Sequence, residues 1–354
     1  MSQLDILVPF SLPPEEMSAD LLRELKAPAL AGLLARATPG RNPSAGERLD
    51  PFAPALPHEA WLAHQFGFGT SLAAENSPPI APDFMLSLGL ARETGNWFVL
   101  QPVHFFIARD HLVLTDPRQL ELAEDESRAL FEVARMLFEE DDKTLLFGNA
   151  GTWFVHADSW SQLRTSTPDA ACGHNIDIWM PKGEGERSWR KIQNEVQMHW
   201  FTHPVNAERE AKGQKPVNSI WIWGGASPAT GHARSAYSAV FGLSGWASAL
   251  AQHASKTAAH ASAGEVIAAR PERGLVLLDE LIEPALANDW SRWLGTFQQL
   301  EKDWFVPQLE ALQSGKIDRV SLILTHNSRL STFTASRLSL RKFWIKPSLA
   351  RLCP

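Results

Sequence analysis

Apolar positions along this chain repeat at two periods, and the period changes several times. LDILVPF at 4–10 is a short continuous apolar run that predicts a buried strand, stopped by the prolines at 9, 13 and 14. Between 18 and 36, Leu21, Leu22, Leu25, Leu30, Leu33 and Leu34 recur at helical spacing around Pro28, so a helix is expected there. Residues 38–54 and 69–82 carry turn chemistry without a period and read as loops, and 58–67 reads as a short helix stopped by Gly67. NWFVLQPVHFFIA (96–108) predicts a strand, paired as a hairpin with HLVLTD (111–116) across Arg109 and Asp110. At 124–141, Ala129, Leu130, Val133, Ala134, Leu137 and Phe138 form one apolar stripe. Acidic residues fill the first turn of that helix, where its dipole favours them. TLLFGN and TWFVHA then alternate as a hairpin around Asn149, Ala150 and Gly151. Residues 188–201 put Trp189, Ile192, Val196 and Trp200 on one helical face, ended by His203-Pro204.

From 219 onward the texture changes. SIWIWGG (219–225), GLVLLDE (274–280) and RVSLILT (319–325) are continuous apolar runs. Between the last two lies a helical stretch, bent near Pro307 and ended at Gly315. Such alternation predicts an α/β core, a mainly parallel sheet with helices on both faces. The expected organisation is a discontinuous core, 1–95 and 215–354, with an inserted α+β lobe at 96–214. In this reading SIWIWGG is a strand of the parallel core.

A chain of 354 residues that is 44% hydrophobic can divide into two such lobes. The net charge of −7 and the lack of a long Lys/Arg run argue against a nucleic-acid partner. No stretch approaches the roughly 20 apolar residues of a membrane span, and the N-terminus lacks a basic leader pattern. A cytoplasmic protein without a membrane partner is the expectation, with its oligomeric state open. Cys172 and Cys353 are too far apart in sequence to suggest a disulfide framework or a zinc pair.

Candidate chemistry is spread thinly. His199 and His203 have the i, i+4 spacing of a helical metal pair, but HExxH is missing and Pro204 ends the helix, which favours an ordinary helix end. PDAACGHNIDIWMP (168–181) crowds Asp169, His174, Asn175 and Asp177 together, as a binding loop or an internally bonded structural loop would. Arg109, Arg118, Arg164, Arg187, Arg190 and Arg209 could line a phosphate cleft or be solvated surface. The P-loop, GxGxxG and GxSxG motifs are all missing.

One stretch is more specific. HPVNAEREAKGQKPVNSIWIWGG (203–225) resembles the archaeal-type cofactor-independent phosphoglycerate mutases. His203, Pro204, Val205, Asn206, Arg209, Gly213, Pro216, Asn218, Trp221, Trp223 and Gly224 all fall in step with that family's pattern. LKAPALAGLLARA, NWFVLQPVHFFIARDHLVLTDPR, TSTPDAACGHNID and LEKDWFVPQLEALQSGKIDRVSLIL are similar to other segments of it, more loosely. The resemblance implies an alkaline-phosphatase-like core carrying two divalent metal ions, such as manganese or magnesium, and a serine nucleophile. It also implies an inserted substrate lobe, in which His174, Asp177, His203, Asn206, Arg209 and Asn218 would bind a small phosphorylated metabolite.

The departures from the family pattern fall on its catalytic set. The first strand runs into LVPFSLPP instead of an Asp-Gly motif, and Pro57-His58-Glu59 stands where Ser-Asp is expected. Thr325-His326 replaces Asp-His, and Asp279-Glu280 lacks its histidine. A histidine cannot take over a phosphoserine intermediate unchanged, and the carboxylates that remain are few for two cations. The same departures fit a bacterial group known as RpfE-type regulatory proteins. The leading expectation is therefore a catalytically degenerate mutase-like protein without a cofactor, binding a small phosphorylated or carboxylated metabolite in a regulatory role. The alternatives are an active mutase or phosphatase with rearranged ligands, using His58, Glu59 and His326 with two divalent ions, and an interaction scaffold.

Overall fold

The computed structural model describes residues 2–40, 47–69, 75–91, 94–228, 235–252 and 254–353. Two compact units emerge: Met1–Pro51 with Arg234–Pro354, and Phe52–Ala233.

The first unit is built on a sheet in the order Lys256–Ala258, Ala239–Phe241, Arg273–Leu277, Gln3–Val8, Arg319–His326, Arg329–Ser336 and Thr38–Pro39, with Glu47–Arg48 also pairing Arg329–Ser336. The first five strands are mutually parallel. The opening strand reads as a continuous apolar run because both its faces are covered: Leu4, Ile6, Leu7 and Val8 are each at most 1% exposed. This is the α/β class that the alternating texture implies, a mainly parallel sheet with flanking helices. Arg329–Ser336, not foreseen from the sequence, adds an antiparallel hairpin partner to Arg319–His326.

The single helix expected over 18–36 is two, Ser18–Glu24 and Pro28–Arg36. Pro28 lacks the N–H that a continuing helix would need and instead opens the second one. The next two free N–H groups, of Ala29 and Leu30, donate to the Glu301 carboxylate at 2.5 and 3.1 Å. Glu301 itself begins a π-helical turn, Glu301–Phe305, joining Trp290–Leu300 to Val306–Ser314, whose first turn holds Pro307.

The second unit carries an antiparallel sheet in the order Thr144–Asn149, Thr152–His156, Trp97–Val103 and Ser219–Ala226. This corrects the placement of SIWIWGG. It is not a strand of the parallel core; it pairs antiparallel with Trp97–Val103 inside the inserted unit. Its uninterrupted apolar run has the same cause as in a parallel sheet, which is burial of both faces. Ile220 and Ile222 join a core with Trp153, Trp189 and Trp200, covered by Glu124–Glu140 and Glu186–Phe201. Trp221 and Trp223, both 1% exposed, are buried on the other side. The expected strand 96–108 is divided at His104, after which Phe105–Ala108 turns away to pair only with His111–Leu114.

The second unit spans Phe52–Ala233, where an insert was expected at 96–214. Hydrogen bonds tie parts of it N-terminal to 96 to the rest: Thr167 N donates to Pro54 O at 2.8 Å and Ser77 N to Thr165 O at 2.8 Å. Helix Ala81–Ser87 packs on Trp97–Val103.

Candidate functional site

A cluster of acid–base groups forms within the second unit where helix Pro57–Gln65 meets the short helix Pro168–Ala171. Pro57 occupies the first helical position, so His58 and Glu59 follow in the first turn, where backbone N–H groups are free. Glu59 folds back and accepts from the Leu56 N–H at 2.8 Å. The same Oε2 accepts from the Thr167 hydroxyl at 2.6 Å. Thr167 in turn N-caps the helix that presents Asp169.

Asp169 is held by a fork. Arg118 Nη2 and Nη1 donate to its two oxygens at 2.9 and 3.0 Å, while Arg118 Nε reaches Asp116 at 3.1 Å. One donor atom each from His58, Glu59 and Asp169 lie within 4.8 Å of one another. Burial dominates the protonation of His58 and Glu59. It pulls the His58 imidazole down to about 4, so the ring is neutral at pH 7. Burial, reinforced by Asp169, pushes the Glu59 carboxyl well above the usual carboxylate range. Asp116 is also raised by burial, against the pull of Arg118. Burial works to lower the Arg118 pKa, but Asp169 and Asp116 more than offset it.

The donor set, one neutral imidazole and two carboxylates, fits a divalent cation of the kind that takes mixed nitrogen and oxygen ligands. A proton on Glu59 then plays the part that a cation would. The cluster is closed: His58 is 5% exposed, Glu59 1% and Thr167 0%.

The other residues expected at a site fall elsewhere. His326 belongs to the first unit, where its ring meets Phe10 edge-on at 6.0 Å and burial lowers its pKa to about 4. Asp279 and Glu280 line a cavity of about 540 Å³ in that unit, beyond strands Ala239–Phe241 and Arg273–Leu277, with Glu265, His260 and Trp304. In the second unit His174 stacks on Trp179 at 5.3 Å and Asp177 is exposed. His203 N-caps helix Pro204–Ala211 through its ring, and His199 is exposed, so the i, i+4 pair is a helix end. Asn206 bonds Val217 through both ends of its amide, and Asn218 does the same with Phe105. Arg209 is 0% exposed, bonded to Glu126 and to the carbonyls of Leu120 and Lys215.

Of the nine residues singled out, the structure thus brings together His58 and Glu59. Of their partners, Asp169 was visible in sequence only within a crowded loop and Arg118 as one arginine among six, while Thr167 and Asp116 were not singled out. The Thr-Pro-Asp triplet at 167–169 was the available signal, since it has the form of an N-cap followed by an acidic first turn.

No family model matches the chain. A probable 2,3-bisphosphoglycerate-independent phosphoglycerate mutase of Geobacter sulfurreducens is 27% identical over 131 residues, 36% of this chain and 32% of that protein. The corresponding mutase of Methanosarcina mazei is 30% identical over 64 residues, 18% and 16% of the two chains. Over part of its length, the chain is a distant homologue of the cofactor-independent phosphoglycerate mutases. The matched stretches span less than a third of the length of those mutases. The PH0037 protein from Pyrococcus horikoshii superposes with a TM-score of 0.54 over 95% of this chain and 87% of its own, at 11% identity, which shows a shared fold. Superposition on the cofactor-independent mutase from Thermoplasma acidophilum, with a TM-score of 0.47 at 13% identity, is too loose to add to that.

Proposed function

We propose that the protein is a metal-dependent phosphomonoester enzyme of the phosphoglycerate-mutase type, acting on a small phosphorylated carboxylic acid. The observation that carries this reading is the buried grouping of His58, Glu59 and Asp169 in a chain whose partial homologues are mutases. Those three side chains would hold one divalent cation. When bound, it would supply positive charge against the phosphoryl oxygens. The chain's own residues do the rest. Neutral His58 offers a lone pair, and Thr167 and the Leu56 N–H fix the Glu59 carboxylate. Arg118 fixes Asp169, and burial keeps water from His58 and Glu59.

The test is interconversion of 3- and 2-phosphoglycerate with magnesium, manganese or zinc, repeated after chelation and in Glu59→Gln. Turnover that needs the metal and falls by about 100-fold or more in the variant is expected. No turnover with any of the three would leave a catalytically silent metabolite-binding protein. One feature favours that second reading: the opening strand runs at its carboxyl end into Pro9, Phe10, Ser11 and Leu12, which bring no metal-ligating side chain.

A further inference from the structure

The cluster has a charge count that goes beyond holding a cation. Glu59, Asp169 and Asp116 are three carboxylates, and Arg118 is the one guanidinium bonded among them. Fully ionised, they leave two negative charges uncompensated, which is the charge of one divalent cation. Two such cations would overshoot it by as much again. The counter-ion already present is not fully buried: the Arg118 side chain is 41% exposed, against 13% for Asp169 and 4% for Asp116. Arg118 is therefore the most exposed member of the cluster.

We infer that one divalent cation at His58, Glu59 and Asp169 converts Arg118 from an internal counter-ion into an anion-binding fork, so that cation and phosphate bind cooperatively. This rests on the metal-dependent reading of the cluster above. A cation drawing on the Asp169 oxygens weakens their attraction for Arg118, because both compete for the same lone pairs and the same charge. The planar fork of Arg118, still anchored through Nε to Asp116, is then available to two oxygens of a phosphate group. Without the cation, a phosphate approaching the cluster meets an excess of carboxylates and a guanidinium already engaged. Of the six arginines named above as candidate phosphate ligands, Arg118 is the one held in this cluster. Arg209 is fully buried, Arg190 pairs with Glu186, and Arg164 lies 3.7 Å from Glu75.

The probes are manganese(II) alone, inorganic phosphate alone, and each titrated in the presence of the other, followed by calorimetry on the full chain. Expected are one manganese per chain and phosphate binding strengthened by about tenfold or more with manganese present, with manganese affinity raised by the same factor in return. Arg118→Lys keeps the charge and loses the fork, so it should retain one manganese and lose the coupling. Arg118→Ala, with its fold checked by its melting curve, should bind manganese more tightly than the wild type when phosphate is absent, since a competing cation has gone. That gain reports the lost positive charge; the loss of coupling in Arg118→Lys is what marks the fork. Two manganese ions or none, phosphate binding indifferent to manganese, or coupling that survives in Arg118→Lys would each overturn the inference. Intact coupling without phosphoglycerate turnover would instead sink the enzymatic reading and leave this one standing.

Discussion

Arg209 is 0% exposed, and each of its three nitrogens donates to a partner inside the inserted unit. A guanidinium in a polar, turn-rich segment has the composition of a phosphate ligand; here it ties the segment 203–217 to Glu126 and to the carbonyls of Leu120 and Lys215. Arg209→Ala should therefore cost about 3–5 kcal/mol of stability, because it strands a carboxylate and two carbonyls in the interior. Urea denaturation measures this, and a near-neutral result would return Arg209 to the pool of candidate ligands. Asn206 and Asn218 teach the same lesson at smaller scale. Each uses both ends of its amide on one neighbouring backbone segment, as a strand residue would. His58 and Glu59 differ because burial, not pairing with an opposite charge, dominates their protonation.

Ser219–Ala226 is the element whose identity changed most between sequence and structure. Its Trp221 donates to Ser166 O at 2.8 Å and meets Phe105 edge-on, so it clamps the segment before Thr167 against the sheet. Removing the ring in Trp221→Ala should cost about 3–5 kcal/mol, read from the denaturation midpoint. A loss of much less than that would mean the strand is not central to the unit. The paired glycines at its carboxyl end serve packing. Gly224 has φ 72°, and a side chain on Gly225 would come within 2.2 Å of the Phe98 ring. The π-helical turn Glu301–Phe305 is the counterpart in the first unit, where a helical irregularity lets one buried carboxylate cap a second helix.

Among the described residues, His58 in one unit and His326 in the other are both pulled to about 4 chiefly by burial. The unfolded chain takes up a proton near the ordinary value of about 6.5, which the folded chain refuses. Stability is thus full above that value and is lost as pH falls from about 6.5 toward 4. Glu59 acts with the opposite sign: its raised carboxyl favours the folded state below the ordinary carboxylate value, an advantage lost as pH rises. Denaturant midpoints at pH 7 and pH 5 should fall on acidification, and His326→Gln should fall by less than the wild type. An equal fall in both would assign the acid sensitivity to other groups. Among the described residues no helix is long and apolar enough to cross a membrane.

Local periodicity determined much of what the chain becomes. The helix expected over 124–141 is Glu124–Glu140, and the hairpin around Asn149 to Gly151 is Thr144–Asn149 with Thr152–His156, because capping, dipole and turn chemistry act within a few residues. The α/β class followed too, since continuous apolar strands alternating with helices need a sheet covered on its faces. Partnership was beyond the reach of the pattern. SIWIWGG reports that both of its faces are buried, not which strand lies beside it or in which direction, so only the assembled sheet could place it in the antiparallel insert. The grouping of His58 and Glu59 with Asp169 joins distant parts of the sequence and depends on how two short helices meet. Whether an arginine keeps an exposed side chain, as Arg118 does, or is consumed by the interior, as Arg209 is, was decided by burial, which arises only when the distant parts of the chain close around it.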